Sequence, residues 1–478
     1  EGGPGAGGGG LRACLEARPG LRSVLLKRAL GAPITVGSLP VAYLPAADPA
    51  LRARKAHPGR PAAWYRHPYA RLLVVRCEGG LDEYRAVVRP ALQAAVEAGG
   101  SHARRAPAEG QPFAASCRDT VVLLHGPEAD ARGVRALHEK LCVDFNPKKR
   151  NMLPGTFNCP FLGDVCRVCP ADEASLIGLD RSLIQSVREA FDARSNAYQE
   201  VVRKLSILRL KRDPSWSFNA FFATKESQAL LYETVRLDDD ALREYYELEV
   251  AYHEELKKGA GADFGGNDRG DDQAALLGPG TKDVRRLCEK NIQVREFDML
   301  QYIFSRQAAI LLKMSQPEVA VMKGIAFVHA FSKRLAANAG RLPAGMSDKW
   351  IFSACLALAE VSCEGKEEGL DETGFPTSSR GGADSVRTRL LDVSKRSMES
   401  LRAELYTHAR SKLVSLGEAK RWGPAELSPL PTLRKAPSLL SPVSLDPASS
   451  GSDGEASGGG SPGLSRVGSG ADAGSTPP

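Results

Sequence analysis

The C-terminal two thirds of the chain repeats its apolar residues three or four positions apart, the spacing of an amphipathic helix. A first long stripe precedes Pro214 and comprises Leu183, Val187, Phe191, Tyr198, Val201, Leu205 and Leu208. Further helices are predicted over 218–232, 238–252, 294–314, 317–335, 348–363 and 386–416. About seven consecutive helices joined by short Pro- or Ser-marked turns predict an α-solenoid or an irregular helical array.

Two of these helices have a more specific texture. The helix that begins near Phe218 alternates aromatic and small residues, and the next one opens with Asp238, a suitable N-cap, followed by Leu242 and Tyr245. This pair resembles a tetratricopeptide hairpin, in which aromatic and small residues face one another across two antiparallel helices.

A different pattern precedes the helices. Residues 71–77 and 120–125 are short apolar runs bounded by polar residues, which favours buried strands. Residues 81–98 and 132–145 have helical spacing and follow the two runs in turn. The order strand–helix–strand–helix predicts a small α/β domain with adjacent strands.

The two ends of the chain lack such patterns. Pro33, Pro40, Pro45, Pro49, Pro58 and Pro61 break any long element near the N-terminus, so we expect residues 1–60 to be a poorly ordered segment. In residues 423–478, 37 of 56 positions are Gly, Ser, Pro or Ala and none is aromatic, which predicts a disordered tail. The predicted fold class is therefore α+β overall and predominantly α, with an α/β domain over 61–172 and a helical solenoid over 173–422. No apolar run approaches the length of a membrane-spanning helix.

Charge is distributed unevenly along the chain. Residues 1–150 contain 23 Lys and Arg against 13 Asp and Glu, an excess of +10, whereas the remainder carries −3. A basic front half indicates an acidic partner, either anionic lipid or an acidic protein face. The basic residues are scattered and only residues 148–150 form a run without an aromatic ladder, so we expect no nucleic-acid partner. The run at 148–150 also fits the solvated end of a helix.

Cysteine usage bears on compartment and on metal binding. Ten cysteines in 478 residues, most of them single within apolar stretches, indicate a reducing, intracellular compartment. Cys166 and Cys169 have half of a zinc-knuckle spacing, with Cys159, His138 and Cys142 upstream. A second pair at that spacing is missing, which favours a loop with incidental thiols and no metal.

The search for catalytic motifs is negative. The segment Leu277-Gly278-Pro279-Gly280-Thr281-Lys282 has the wrong order for a phosphate loop. Asp271 and Asp272 lack flanking strands, and His253 lacks the second histidine of a zinc-protease helix. His125 fits the end of a strand better than a general base. We therefore predict no catalytic residue, no cofactor site and no metal site.

Several segments, taken in order, resemble the large subunit ten of the transport protein particle II (TRAPPII) vesicle-tethering complex, the homologue of the yeast 130-kilodalton subunit, in its plant and green-algal form. The resembling segments span about Trp64 to Arg421 and include Trp64-Tyr65-Arg66-His67-Pro68-Tyr69, Asp144-Phe145-Asn146-Pro147-Lys148-Lys149-Arg150, Phe221-Phe222-Ala223-Thr224-Lys225-Glu226-Ser227, Asp240-Ala241-Leu242-Arg243-Glu244-Tyr245-Tyr246 and Trp350-Ile351-Phe352-Ser353-Ala354-Cys355. No single segment is a functional signature, and the resemblance rests on their number and order.

The resemblance implies a role in membrane traffic. Such a chain would be a non-catalytic scaffold whose partners are the small core subunits and other large TRAPP subunits, a Rab GTPase of the trans-Golgi and recycling class, and the peripheral Golgi membrane. It would be cytoplasmic and peripheral on Golgi and trans-Golgi network membranes. The alternative is a generic helical-repeat adaptor in another pathway; an enzyme or a nucleic-acid binder is less favoured.

The chain departs from the family pattern in two places. Residues 151–172 do not match what is expected after Lys148-Lys149-Arg150, and their Cys and Pro content suggests an insertion or an error in the gene model. Family members are also longer and end in β-sandwich modules, whereas this chain ends in a Ser- and Gly-rich tail.

Overall fold

The computed structural model describes residues 8–18, 20–28, 31–48, 61–104, 118–145, 162–258, 264, 270–278, 280, 282–361 and 383–420. Its front part contains the helix α1 (Gly8–Glu16), the antiparallel strands β1 (Leu21–Leu26) and β2 (Ile34–Leu39), a 3-10 helix (Pro61–Arg66) and the strand β3 (Ala70–Val75). The helix segments α2 (Gly80–Glu83) and α3 (Arg89–Arg104) follow, joined by a π-helical turn over Tyr84–Val88. The strand β4 (Arg118–Leu124), the helix α4 (Ala131–Phe145) and the strand β5 (Leu162–Val168) complete this part.

The strands β3, β4 and β5 form a parallel sheet in that order, with β4 in the centre. Successive side chains of β4 point to opposite faces, as a strand requires. Val121 and Leu123 pack against Tyr84 and Phe145 in a small core on the side of α2 to α4. Val122 and Leu124 belong to the large core that the helical array shares. The uninterrupted apolar run of β4 is therefore explained by burial on both faces.

Residues 162–168 correct one prediction. Cys166 was expected in a loop, but it lies in β5, the third strand of the sheet. The strand was not predicted because it is only seven residues long and its surroundings are rich in Pro and Cys. Cys159, the run at 148–150 and the first half of the departing segment, 151–161, lie outside the described residues.

The prediction that residues 1–60 are poorly ordered is wrong for the described part of that segment. Leu11 and Leu15, one turn apart on α1, are buried, as are Val24 and Leu26 of β1. All four belong to the large core. The prediction rests on prolines that interrupt the segment. In the described part, the prolines lie outside α1, β1 and β2 and therefore leave those elements intact.

The second part of the chain is a helical array, and the predicted fold class, α+β and predominantly α, is confirmed. Its helices are α5 (Glu173–Lys211), α6 (Phe218–Thr234), α7 (Asp238–Lys257), α8 (Val284–Glu289), α9 (Glu296–Lys313), α10 (Pro317–Ala337), α11 (Met346–Ala359) and α12 (Ala383–Lys420). Helices pack on near neighbours: α6 on α7, α7 on α9, α9 on α10, and α11 on both α10 and α12. The predicted domain boundaries remain predictions, and residues 423–478 lie outside the described residues.

Helix ends follow ordinary capping chemistry. The Asp172 carboxylate accepts from the amides of Ala174 and Ser175 at the start of α5. Arg212 ends α5 in the left-handed region, with φ at 53°, and Pro214 follows as predicted. The helix α11 begins at Met346, two residues before its predicted start at 348, and follows Gly345, whose φ is +76°. Leu237, not Asp238, occupies the N-cap position of α7.

Candidate functional site: a polar joint, a buried ion network and a cleft

The segment over residues 64–69 is held between the sheet and the helical array by a cluster that we call the polar joint: residues 64–69, Arg194, Tyr198 and Arg285. Arg194 of α5 is fully buried. Its guanidinium donates to the carbonyl oxygens of His67 at 2.8 Å and Pro68 at 2.6 Å and lies 4.4 Å from the centroid of the Tyr69 ring. One side chain therefore satisfies a buried and a partly buried carbonyl and stacks on an aromatic face, a role suited to arginine.

Two further contacts close the joint. The Tyr65 amide donates to the Tyr198 hydroxyl at 3.0 Å, and the Trp64 and Tyr198 rings lie 5.2 Å apart. On the opposite side, the Arg285 guanidinium of α8 lies 4.8 Å from the Tyr65 ring centroid. Burial raises the pKa of the Tyr198 hydroxyl, so it stays neutral near pH 7. The joint thus fastens the front part to α5 and α8 through fixed polar geometry.

A second feature is a network of buried charges where α6, α7 and α9 meet. Glu226 is fully buried and accepts from the Tyr302 hydroxyl. The Arg285 guanidinium lies 4.0 Å from the same carboxylate and donates to the Ser227 hydroxyl at 3.1 Å. Burial raises the pKa of Glu226, and the nearby Arg285 opposes that shift.

Lys225 extends this network towards α7. Its ammonium donates to the carboxylates of Glu244, which is buried, and Glu247, which is half exposed. Burial raises the pKa of Glu244, while Lys225 acts in the opposite direction. The hydrophobic periodicity did not reveal these residues, because they interrupt an apolar helix. The feature of the sequence that could have revealed them is the charged pair Lys225-Glu226 within the largely apolar run from Phe221 to Leu231.

The structure also places the residues weighed for catalysis. Asp271, considered as half of an acidic metal pair, is buried and forms two hydrogen bonds with Arg295, at 2.7 and 2.9 Å. Asp272 contacts Lys349 at 3.3 Å, and Lys282 of the supposed phosphate loop contacts Asp298 at 3.3 Å. These three side chains therefore serve as ties between a connecting segment and the helices around it.

His253 lies in a cleft between α7, α9 and α10. The cleft has a volume of about 530 Å³, and the ion pair between Glu296 and Arg334 forms part of its wall. Its lining residues are Val250, His253, Glu254, Leu256, Lys257, Glu296 and Arg334. Burial lowers the pKa of His253. The cleft is mixed in polarity and open to solvent.

The residues of the candidate zinc knuckle are dispersed. Cys166 borders the large core beside Ser182, and burial raises its pKa to about 11. The Cys169 amide donates to Ser175 at 3.0 Å, and Cys142 lies on the other face of the sheet, 3.6 Å from His138 Nε2. Across the described residues, no three His, Cys, Asp or Glu side chains form a group that could hold a metal ion. That the protein contains no zinc stays a prediction.

These features define a class of protein: an α/β front part joined by polar contacts to a helical array. Among the described helices, none has the length and apolar composition needed to cross a bilayer. The catalogue of protein-family models yields no match, and no solved structure matches the chain.

Curated relatives match most of the chain. The chain is 31% identical to the trafficking protein particle complex II-specific subunit 130 homolog of Arabidopsis thaliana, over 88% of this chain and 30% of that protein. It is 32% identical to the rice protein of the same name, over 74% of this chain and 26% of that protein. The human trafficking protein particle complex subunit 10 is 27% identical over 32% of the chain and 13% of its own length.

The chain is homologous to these TRAPPII-specific large subunits along most of its own length, which confirms the resemblance predicted from its sequence segments. It spans only 30% of the length of the Arabidopsis relative.

Proposed function

We propose that this chain is a non-catalytic scaffold of a TRAPPII-like tethering complex. The observation that carries the proposal is the homology to TRAPPII-specific subunits over 88% of the chain. The architecture supports it, since stacked helices offer extended surfaces to several partners at once. The partners would be small core subunits and other large subunits of the complex.

The proposal extends to membrane traffic at the trans-Golgi and recycling compartments. Small subunits would supply nucleotide exchange on a Rab GTPase, and this chain would support their assembly from the cytoplasmic face of the membrane. The polar residues of the buried network are already paired with one another: Lys225 with Glu244, and Tyr302 with Glu226. This arrangement favours a structural role for them over a catalytic one.

Affinity purification with mass spectrometry tests the proposal. The tagged chain is expressed in plant or algal cells, and we expect small TRAPP core subunits among the recovered proteins. The matched control is Tyr245→Asp, which places a charge at a fully buried position and should abolish recovery by unfolding the array. Recovery of no TRAPP subunit by the parent chain, with a different set of partners lost in the control, would favour the generic adaptor instead.

Fluorescent-nucleotide release separates scaffolding from catalysis. The chain alone is expected to leave the release rate of candidate Rab GTPases unchanged, whereas core subunits accelerate it. Robust acceleration by the chain without core subunits would contradict the non-catalytic assignment.

A further inference from the structure

The C-terminal end of α5 projects from the protein. Every buried residue of this helix lies at or before Tyr198, so the described part of the chain leaves its last three turns only partly covered. Ile207 and Leu208 are half-exposed. Leu210 is 83% exposed, the largest value for any large apolar side chain that the structure describes. We call residues 207–212 the α5 end.

The α5 end lies in a region of positive charge. Residues 200–216 contain five Lys and Arg against two acidic residues, a net charge of +3. Lys211 and Arg212 are exposed beside Leu210. Arg209 instead turns inward and contacts Glu254 and Glu255 of α7 at 2.9 Å. That contact brings the end of α7 next to the α5 end, where Glu254 and Glu255 balance the charge of the exposed Lys257 and Lys258.

Helical geometry places Leu210 and Lys211 on one surface. At 100° per residue, Ile207, Leu210 and Lys211 fall within an arc of about 100°. Arg203 shares this arc, but both oxygens of Glu200 accept from its guanidinium. Trp216 does not belong to this surface, because its half-buried ring packs inward, 5.4 Å from the Phe221 ring and 5.7 Å from the Arg209 guanidinium. A protruding leucine and flexible cations are side chains that settle at a membrane interface, where each long side chain keeps its charge among the headgroups.

We propose that the α5 end contacts the surface of an anionic phospholipid bilayer, with Leu210 entering the acyl boundary and Lys211 and Arg212 binding lipid phosphates. A bilayer is favoured over an acidic protein face because a single projecting leucine needs a shaped pocket in a protein but none in a fluid membrane. The inference deepens the proposed function, on which it rests, by assigning the membrane contact to named residues.

Vesicle co-sedimentation of the full chain tests this. The probe is phosphatidylcholine vesicles with or without phosphatidylserine. We expect binding only to the vesicles that contain phosphatidylserine. Because one basic residue near an anionic leaflet contributes roughly fivefold in affinity, Lys211→Glu with Arg212→Glu should weaken binding about 25-fold or more. Leu210→Ser, which changes no charge, should also weaken it.

The matched control is Lys290→Glu with Lys333→Glu, two exposed lysines elsewhere in the array that give the same change in net charge. It should retain most of the binding, and all variants should melt at the parent temperature. Equal binding by control and α5-end variants would overturn the proposal. So would unchanged vesicle binding combined with loss of a co-purifying subunit, since the α5 end would then be a protein contact.

Subunit recovery measured in parallel separates the two proposals. Loss of vesicle binding with retention of TRAPP subunits supports both. The other outcome is that neither the parent chain nor any variant recovers TRAPP subunits, while vesicle binding is still lost only in the α5-end variants. The proposed function then fails and the membrane contact stands.

Discussion

Lys225 shows how a single buried charge constrains its neighbours. It lies in the middle of an apolar helix because Glu244 and Glu247 of α7 accept from it. Removing one partner of such a pair leaves the other charge buried without compensation, which costs about 3–5 kcal/mol. The sequence shows Lys225 as an interruption of an apolar run, but nothing local identifies its partner, 19 residues away.

We therefore predict that Lys225→Met lowers the free energy of unfolding by about 3 kcal/mol or more, as measured by urea denaturation. Adding Glu244→Leu removes the orphaned carboxylate and should recover most of that loss. Glu247→Leu is the matched control, because Glu247 is half exposed and needs no buried cation. A double variant no more stable than Lys225→Met alone would refute this account of the pair.

At the scale of helices, Gly324 determines how closely α10 approaches α11. It is buried in the interior of α10, and a Cβ at this position would lie 2.5 Å from a methyl carbon of Leu358, which is itself fully buried. Helix propensity alone favours Ala over Gly by about 1 kcal/mol. Overpacking of a closed core costs about 1–3 kcal/mol, so packing should outweigh propensity here.

Gly324→Ala is accordingly expected to lower the melting temperature by several degrees. Gly178→Ala serves as the control within a helix, since a Cβ on Gly178 of α5 would meet nothing within 4 Å. That substitution should raise the melting temperature slightly. Thermal unfolding followed by circular dichroism measures both, and a stabilising effect at Gly324 would show that α10 and α11 are free to separate.

Elements were predictable where one period runs long enough. The 3.6-residue repeat predicted α5, α6, α7, α9, α10, α11 and α12, and alternation of polar boundaries with apolar runs predicted β3 and β4. Short elements were missed because few residues carry their pattern: β5 has seven residues and α8 has six. The β1–β2 hairpin was missed because Pro33 and Pro40 flank β2 closely and masked its apolar positions.

The candidate site was less predictable than the fold. The polar joint depends on contacts more than 120 residues apart in the chain, such as Arg194 with His67. Arg194 looks like an ordinary polar position of an amphipathic helix, and only the folded chain shows that it is fully buried. Family segments such as residues 64–69 were recognisable from the sequence, whereas the reason for their composition required the structure.

At the scale of the whole molecule, Arg194 couples the front part to the helical array. Arg194→Met would leave a buried and a partly buried carbonyl oxygen without a charged donor, at a cost of about 3 kcal/mol. We expect faster amide hydrogen exchange in β3 and in residues 64–69, with α9 to α11 unchanged. The control is Arg181→Met, an exposed position on the same helix, which should alter neither region. Uniform loss of protection would instead mean that the chain unfolds as one cooperative unit.

The length of α5 has a mechanical consequence. Arg194 contacts the front part, and Leu210 lies sixteen positions further along the same helix. Because the helix rises about 1.5 Å per residue, it fixes their separation at about 24 Å. The angle between Arg194 and Leu210 around the helix axis is fixed as well. One residue inserted between Tyr198 and Ile207 would lengthen the helix by only about 1.5 Å but would swing Leu210 and Lys211 through about 100° about its axis. The direction in which the α5 end faces is therefore set by the number of residues between Arg194 and Leu210.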